Sequence, residues 1–144
     1  MKKERRIIVN KIQCNSCKDI IVSNNTHDYK SCECGNVSVD GGHDYTKRGW
    51  SDGYTYTELT VYSDAPFKVI RKELKWGTYG KTGTAIDVAY VPICEMSDGH
   101  LTAIITKNMG AEWIRKYMKR ELAYRKRKNI VIPDRQIVCK LEKV

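Results

Sequence analysis

No run of apolar residues in this chain approaches the ~20 needed to cross a bilayer as a helix. Near the start, Ile7-Ile8-Val9 stands alone, well short of the roughly 7–15 apolar residues of a secretory leader. A soluble, intracellular protein with no membrane partner is therefore expected. Also missing is a complete phosphate-binding loop. Gly80-Lys81-Thr82 has the end of one, but that motif needs a glycine five residues before its Gly-Lys pair. Lys75 stands there, and a helix rather than a strand is expected ahead of it. Gly77–Thr84 reads instead as a glycine-rich loop that presents Tyr79 and Lys81 to a partner. No catalytic set has supporting spacing either. Acid/base use of His27-Asp28 or His43-Asp44 can be written down, as can a Cys94 thiol with His100. Triad partners are set in space rather than by spacing, and no enzyme is expected.

What is present is a four-thiol set. Cys14-Asn15-Ser16-Cys17 is followed, after fourteen residues, by Cys32-Glu33-Cys34-Gly35. In a reducing compartment such close-set cysteines read as a metal site rather than a disulfide frame. Zn²⁺ takes four soft ligands in a tetrahedron. Each short cysteine turn offers two, and the stretch between is long enough to bring the turns face to face. One structural Zn²⁺ held by Cys14, Cys17, Cys32 and Cys34 is expected, although iron takes the same four sulfurs. Cys94 and Cys139 stand outside the set and read as ordinary buried thiols. His27-Asp28-Tyr29 recurs as His43-Asp44-Tyr45 on the other side of the second cysteine turn. Four thiolates already close a structural site, so these residues are expected to bond the turns around it.

Acid is scarce toward the C-terminal end. The chain carries +9 overall, with 26 basic and 17 acidic residues. Residues 1–48 hold nine basic and six acidic residues, +3; residues 49–110 hold six and seven, −1; residues 111–144 hold eleven and four, +7. A helix is expected over about 111–128, with Ile114, Tyr117, Met118 and Leu122 on its apolar face. Arg115, Lys116, Lys119, Arg120, Arg125, Lys126, Arg127 and Lys128 lie on its other side. Cations near a helix C-terminus suit its dipole, but eight bases against two acids exceed that need.

Between these two features the pattern is mixed. Arg5–Ile12, Ile20–Val22 and Asn36–Asp40 read as strands around the cysteine turns, which makes a small zinc ribbon. Asp52-Gly53 is a hairpin candidate. Tyr54–Tyr62 alternates as one strand whose tyrosines cover a sheet face. Ser63 is the expected N-cap of a helix over about 65–75 that Gly77 ends. Asp87–Cys94 reads as an edge strand, Ser97 as the cap of a short helix carrying Leu101, Ile104 and Ile105, and Ile130–Ile132 and Gln136–Leu141 as short strands.

The run Cys14-x-x-Cys17…His27-Asp28-Tyr29…Cys32-x-Cys34-Gly35…Val39-Asp40-Gly41-Gly42-x-Asp44-Tyr45 resembles small zinc-ribbon proteins common in tailed-phage genomes. A second run resembles a module in small proteins of T-even-like phages. It comprises Val61-Tyr62-Ser63-Asp64-Ala65-Pro66-Phe67-x-Val69-Ile70-Arg71, Trp76-Gly77-Thr78-Tyr79-Gly80-Lys81 and Met96-Ser97-Asp98-x-His100. The resemblance implies a setting rather than an activity: an accessory phage protein in the cytoplasm of the bacterial host, binding and redirecting host machinery or blunting host defence.

The expected architecture is α+β, a zinc ribbon over 1–48 and a small sheet with about three helices over 49–144. A host protein is the expected partner, with Trp50, Trp76, Tyr79 and Lys81 as its anchors, since aromatic side chains dominate interface hot spots. Nucleic acid on the basic helix is the alternative.

Overall fold

The computed structural model describes residues 5–79 and 88–133. The chain forms two compact units, Met1–Leu74 and Lys75–Val144. Among the described residues its class is α+β, with antiparallel strands toward the N-terminus, several small sheets and three α-helices.

The first unit is built on β1, Ile7–Cys14. Its Asn10–Gln13 stretch pairs antiparallel with β2, Ile20–Ser23. On its other edge lie β6, Tyr56–Glu58, and β7, Val61–Tyr62. A second sheet has the order β3–β4–β5, formed by Lys30–Ser31, Val37–Asp40 and Lys47–Trp50. Ile12, Cys14, Ile21, Cys32, Val37 and Val39 make one buried cluster, with Tyr54 and Tyr56 packed on it. Strand alternation explains the row Ile8, Asn10, Ile12, Cys14 on one face of β1.

That row contains a polar residue, and the unit is arranged to satisfy it. Asn10 is 1% exposed. Its amide nitrogen donates to the carbonyls of Asp40, Gly42 and Tyr45 at 3.1, 3.0 and 3.0 Å. Its Oδ1 accepts from Arg48 at 2.8 Å. A Cβ at Gly41 would lie 1.9 Å from the Tyr45 carbonyl oxygen, so this tight loop around Asn10 admits no side chain there.

The expected break at 48/49 falls inside this unit, because β6 and β7 complete the sheet of β1. Asp52-Gly53 does turn, with Tyr54 N–H donating to Ser51 at 3.0 Å, but it carries the chain from one sheet to the other rather than closing a hairpin. Tyr54–Tyr62 is likewise two strands. The Thr60 hydroxyl accepts from the backbone of Lys11 at 3.1 Å, at the break between them. Helix α1, Phe67–Glu73, follows with Pro66 at its N-cap. Ser63 does not cap it; its hydroxyl accepts the Arg6 N–H at 2.9 Å instead. Gly77 does not end it either. The helix closes at Leu74, whose N–H returns to Ile70 at 2.8 Å.

In the second unit, β8, Lys75–Tyr79, pairs antiparallel with β9, Val88–Pro92, from Lys75↔Pro92 to Tyr79↔Val88. Gly77–Tyr79 is therefore strand rather than loop. A 3₁₀ turn over Ile93–Glu95 leads to α2, Asp98–Thr106. Ser97 caps α2 as expected, accepting the His100 N–H at 3.0 Å. Helix α3 spans Glu112–Lys128, and left-handed Asn129 terminates it. Ile93, Met96, Leu101, Ile104 and Met118 form the interior. Ile130–Ile132 is not a strand. It is held by Asp98, whose N–H donates to the Ile132 carbonyl at 3.0 Å and whose carboxylate accepts the Ile132 N–H at 3.3 Å. Gly80–Thr84 and Gln136–Leu141 lie outside the described residues.

Candidate metal centre

The first cysteine turn grows directly from the end of β1. Cys14 N–H donates to Asp19 at 2.9 Å and Lys18 N–H returns to Cys14 at 2.9 Å. Lys18 takes a left-handed φ of 66° to close the loop. Inside the loop, Cys17 N–H points at the Cys14 sulfur, 3.5 Å away. The second turn is built the same way. Cys32 N–H donates to Val37 at 3.0 Å, and Gly35, at φ 78°, donates to Cys32 at 2.9 Å.

These turns bring all four sulfurs within 4.8 Å of one another. Cys14 and Cys34 are 3.8 Å apart, and Cys32 and Cys34 are 3.4 Å apart. A regular tetrahedron with metal–sulfur bonds of about 2.3 Å has edges of about 3.8 Å, so the donor set fits a tetrahedral, thiophilic ion. Cys14, Cys17, Cys32 and Cys34 thus lie close enough to hold a metal ion, as the spacing predicts. Cys14 and Cys32 are buried in the apolar cluster, while Cys34 reaches the surface.

Cys32 and Cys17 are shifted in opposite directions. Burial pushes the Cys32 thiol up, but the backbone N–H groups of Val37 and Asn36 and the neighbouring thiols outweigh it and bring Cys32 down to about 6. For Cys17 the balance is reversed. The N–H groups of Cys34 and Asp19 pull it down, yet burial and the Cys14 and Cys32 sulfurs push it up to about 11. A thiolate at Cys32 therefore raises the cost of one at Cys17, and a divalent cation held between them would remove that conflict.

Asp19 is a residue that the sequence pattern did not single out. Its carboxylate accepts the Glu33 N–H at 2.8 Å, so a residue from the first turn fixes the backbone of the second. The contacts of the two repeated tripeptides fall on the Asn24–Thr26 turn and the start of β1 rather than on the cysteine turns. Asp28 accepts the Asn24 N–H at 2.8 Å, Asp44 accepts from the Thr26 hydroxyl, and the His43 ring lies 2.9 Å from the Ile7 carbonyl.

The other singled-out residues fare differently. Trp50 ends β5 and is 60% exposed. Trp76 is half-buried, with its ring lying over Gly110. A Cβ at Gly110 would meet that ring at 2.6 Å, so Trp76 is a packing residue of its unit. Tyr79 lies on β8, and Lys81 lies outside the described residues. On α3, Lys116, Lys119, Arg120, Lys126, Arg127 and Lys128 are exposed. Arg115 bonds the Met109 carbonyl at 3.0 Å and also the Gly110 carbonyl. Arg125 does not belong with a solvent-facing set. It is 1% exposed, and its guanidinium is held by Glu121 at 2.8 Å, Asp98 at 2.6 Å and the Ile93 carbonyl at 2.9 Å. Helical periodicity places it beside Met118 on the interior face, where only such pairing makes a buried charge tolerable.

The model of a domain of unknown function, DUF7695, matches residues 6–50. That span holds β1 to β5 and all four cysteines, and it stops short of β6 and β7. Neither a curated protein nor a solved structure matches the chain.

Proposed function

We propose that the protein is a small phage accessory protein that binds a host protein in the bacterial cytoplasm, with one Zn²⁺ clasping its first unit as a structural ion. Four thiolates complete a tetrahedral site and leave no open position for chemistry, as in structural Zn²⁺ sites. Iron in the same sulfurs would colour the protein, and zinc would not.

The single observation that carries the binding reading is the setting of Trp50. Its ring packs on Tyr56, centroid to centroid 6.0 Å at 51°. Its backbone is opposite Val37 in the sheet, and the next N–H, Ser51, donates to Asn36 at 2.9 Å. Asn36 directly follows the second cysteine turn, so the clasp that orders Cys32–Gly35 also orders the platform under an exposed tryptophan. A large aromatic held rigid in the free protein loses little freedom on binding, which is the property of an interface anchor. Whether the consequence is inhibition of host defence or redirection of host machinery depends on the partner.

The test is capture from bacterial lysate with tagged protein after nuclease treatment. A host protein retained by the native chain and reduced at least about tenfold by Trp50→Ala, with an unchanged circular dichroism spectrum, is the expected result. Equal capture by the native chain, Trp50→Ala and metal-stripped protein would overturn the reading.

A further inference from the structure

Helix α3 has two faces with different chemistry. At 3.6 residues per turn, Lys116, Lys119, Arg120, Ala123, Lys126 and Arg127 fall within an arc about 120° wide, and all six are exposed. Of the helix's two carboxylates, Glu121 points the opposite way and is 0% exposed, bound to Arg125. Glu112, exposed on the same arc one turn before Lys116, stands in the first turn, where negative charge suits the dipole. From Lys116 to Arg127 the helix rises about 16 Å with no exposed acid of its own. The dipole favours Lys126, Arg127 and Lys128 in the last turn, but it does not account for Lys116 and Lys119, two or more turns upstream.

We propose that this stripe seats the phosphate backbone of duplex DNA. The inference is independent of the host-protein reading, which concerns the other unit. Phosphates on one strand of a duplex advance about 3.4 Å each along the axis, so the stripe spans about five of them. A rigid helix presents its cations as a fixed linear array, which matches a rigid rod of charge better than a flexible strand. The stripe also lacks what a single strand requires, an aromatic platform on which bases stack. Its one uncharged member is Ala123, while Trp113 and Tyr117 lie to its side, half-buried and edge-to-face with each other. Nor does it suit a bilayer, because binding there buries an apolar helix face, and the apolar face of α3 carries Met118 into the unit's own interior. Long cations are the side chains that contact phosphates, which fix a protein on the duplex.

The experiment is fluorescence anisotropy of the metal-loaded, full-length protein with a labelled 20-base-pair duplex, at several salt concentrations. About four phosphate contacts predict a slope of log K against log salt near −4, and a loss of affinity of about a hundredfold between 50 and 200 mM. The variant K116Q/K119Q/K126Q/R127Q, checked for native helicity, is expected to lower the slope magnitude by about 3 and the affinity at 50 mM by at least about a hundredfold. Trp50→Ala is expected to bind the duplex as the native chain does. A variant that binds with the native slope would overturn the assignment, as would binding that ignores salt. So would tighter binding to a single strand of the same length, or binding to phosphatidylserine vesicles with none to the duplex.

Discussion

The two units solve the same problem, holding short elements together around little apolar material, by different means. The first has strands of two to eight residues, and two of the six residues in its buried cluster are candidate metal ligands. Polar ties add to this: Asn10 in the core row, Arg48 across to Glu58, and Asp19 between the cysteine turns. The second relies on amphipathic helices and places one ion pair at its centre, Arg125 with Glu121, side chains 1% and 0% exposed. A clasp makes local geometry independent of core size, whereas helices need each buried charge to be answered.

The largest expected effect separates the units. Metal removal deprives the first of a contribution that reaches about 10–16 kcal/mol in zinc-finger peptides. A strong chelator should therefore melt it while the helical signal of α2 and α3 persists. A circular dichroism spectrum and amide spectrum unchanged by chelation would erase the contrast. Next is the buried pair. Arg125→Ala takes the guanidinium away from the buried Glu121 side chain, and is expected to destabilise the second unit by about 3–5 kcal/mol. Arg125→Met with Glu121→Leu is expected to be near neutral or stabilising. Urea melts followed at 222 nm distinguish the two outcomes, and a double variant as weak as the single one would mean that the pair has no apolar substitute.

Asn10→Ala comes third. It strips three carbonyls and Arg48 of their partner, and should cost the first unit about 1–3 kcal/mol. Metal-loaded protein is the material for this melt, and an unchanged midpoint would remove Asn10 from the framework. The smallest effect belongs to Glu58. Burial pushes its carboxyl up, but hydrogen bonds from Arg48 and Thr60 outweigh this and hold it below the usual 4.5. A carboxylate lowered in the folded state stabilises above its unfolded value and loses that contribution as pH falls through the folded one. Glu58→Gln should therefore differ from the native chain above about pH 4.5 and converge with it in stronger acid. The difference is less than about 1 kcal/mol, because solvent screens a side chain that is 45% exposed.

The same contrast governs what could be read from the residues alone. Cysteine turns are dictated by neighbours in sequence, so Cys14, Cys17, Cys32 and Cys34 and the flanking strands were legible. Ser97 and the span of α3 were legible for the same reason, being set by a local cap and a sustained period. What depends on distant segments was not. Nothing near Tyr54–Tyr62 announces that two short strands there complete the sheet of β1, and so the boundary moved from 48/49 to 74/75. Ser63 has the chemistry of a cap but meets Arg6 first. Arg125 looks like its basic neighbours and differs only in facing Glu121 and Asp98. Asn10, in a run of apolar residues, carried a weak signal of its own: a polar side chain on the buried row of a strand must find partners.

The order of the elements along β1 has a further consequence, for the chain while it is being made. β1 is a sticky, mostly apolar strand, and the residues that cover its far edge arrive late: Thr55, bonded to Asn15, is 40 residues on. At about 5–20 residues per second of synthesis, that edge waits about 2–8 s. Cys34 emerges only 20 residues after Cys14, so the ion can lock β1 and its hairpin partner midway through the wait. A metal held there would act on the growing chain before it acted on the stability of the finished molecule.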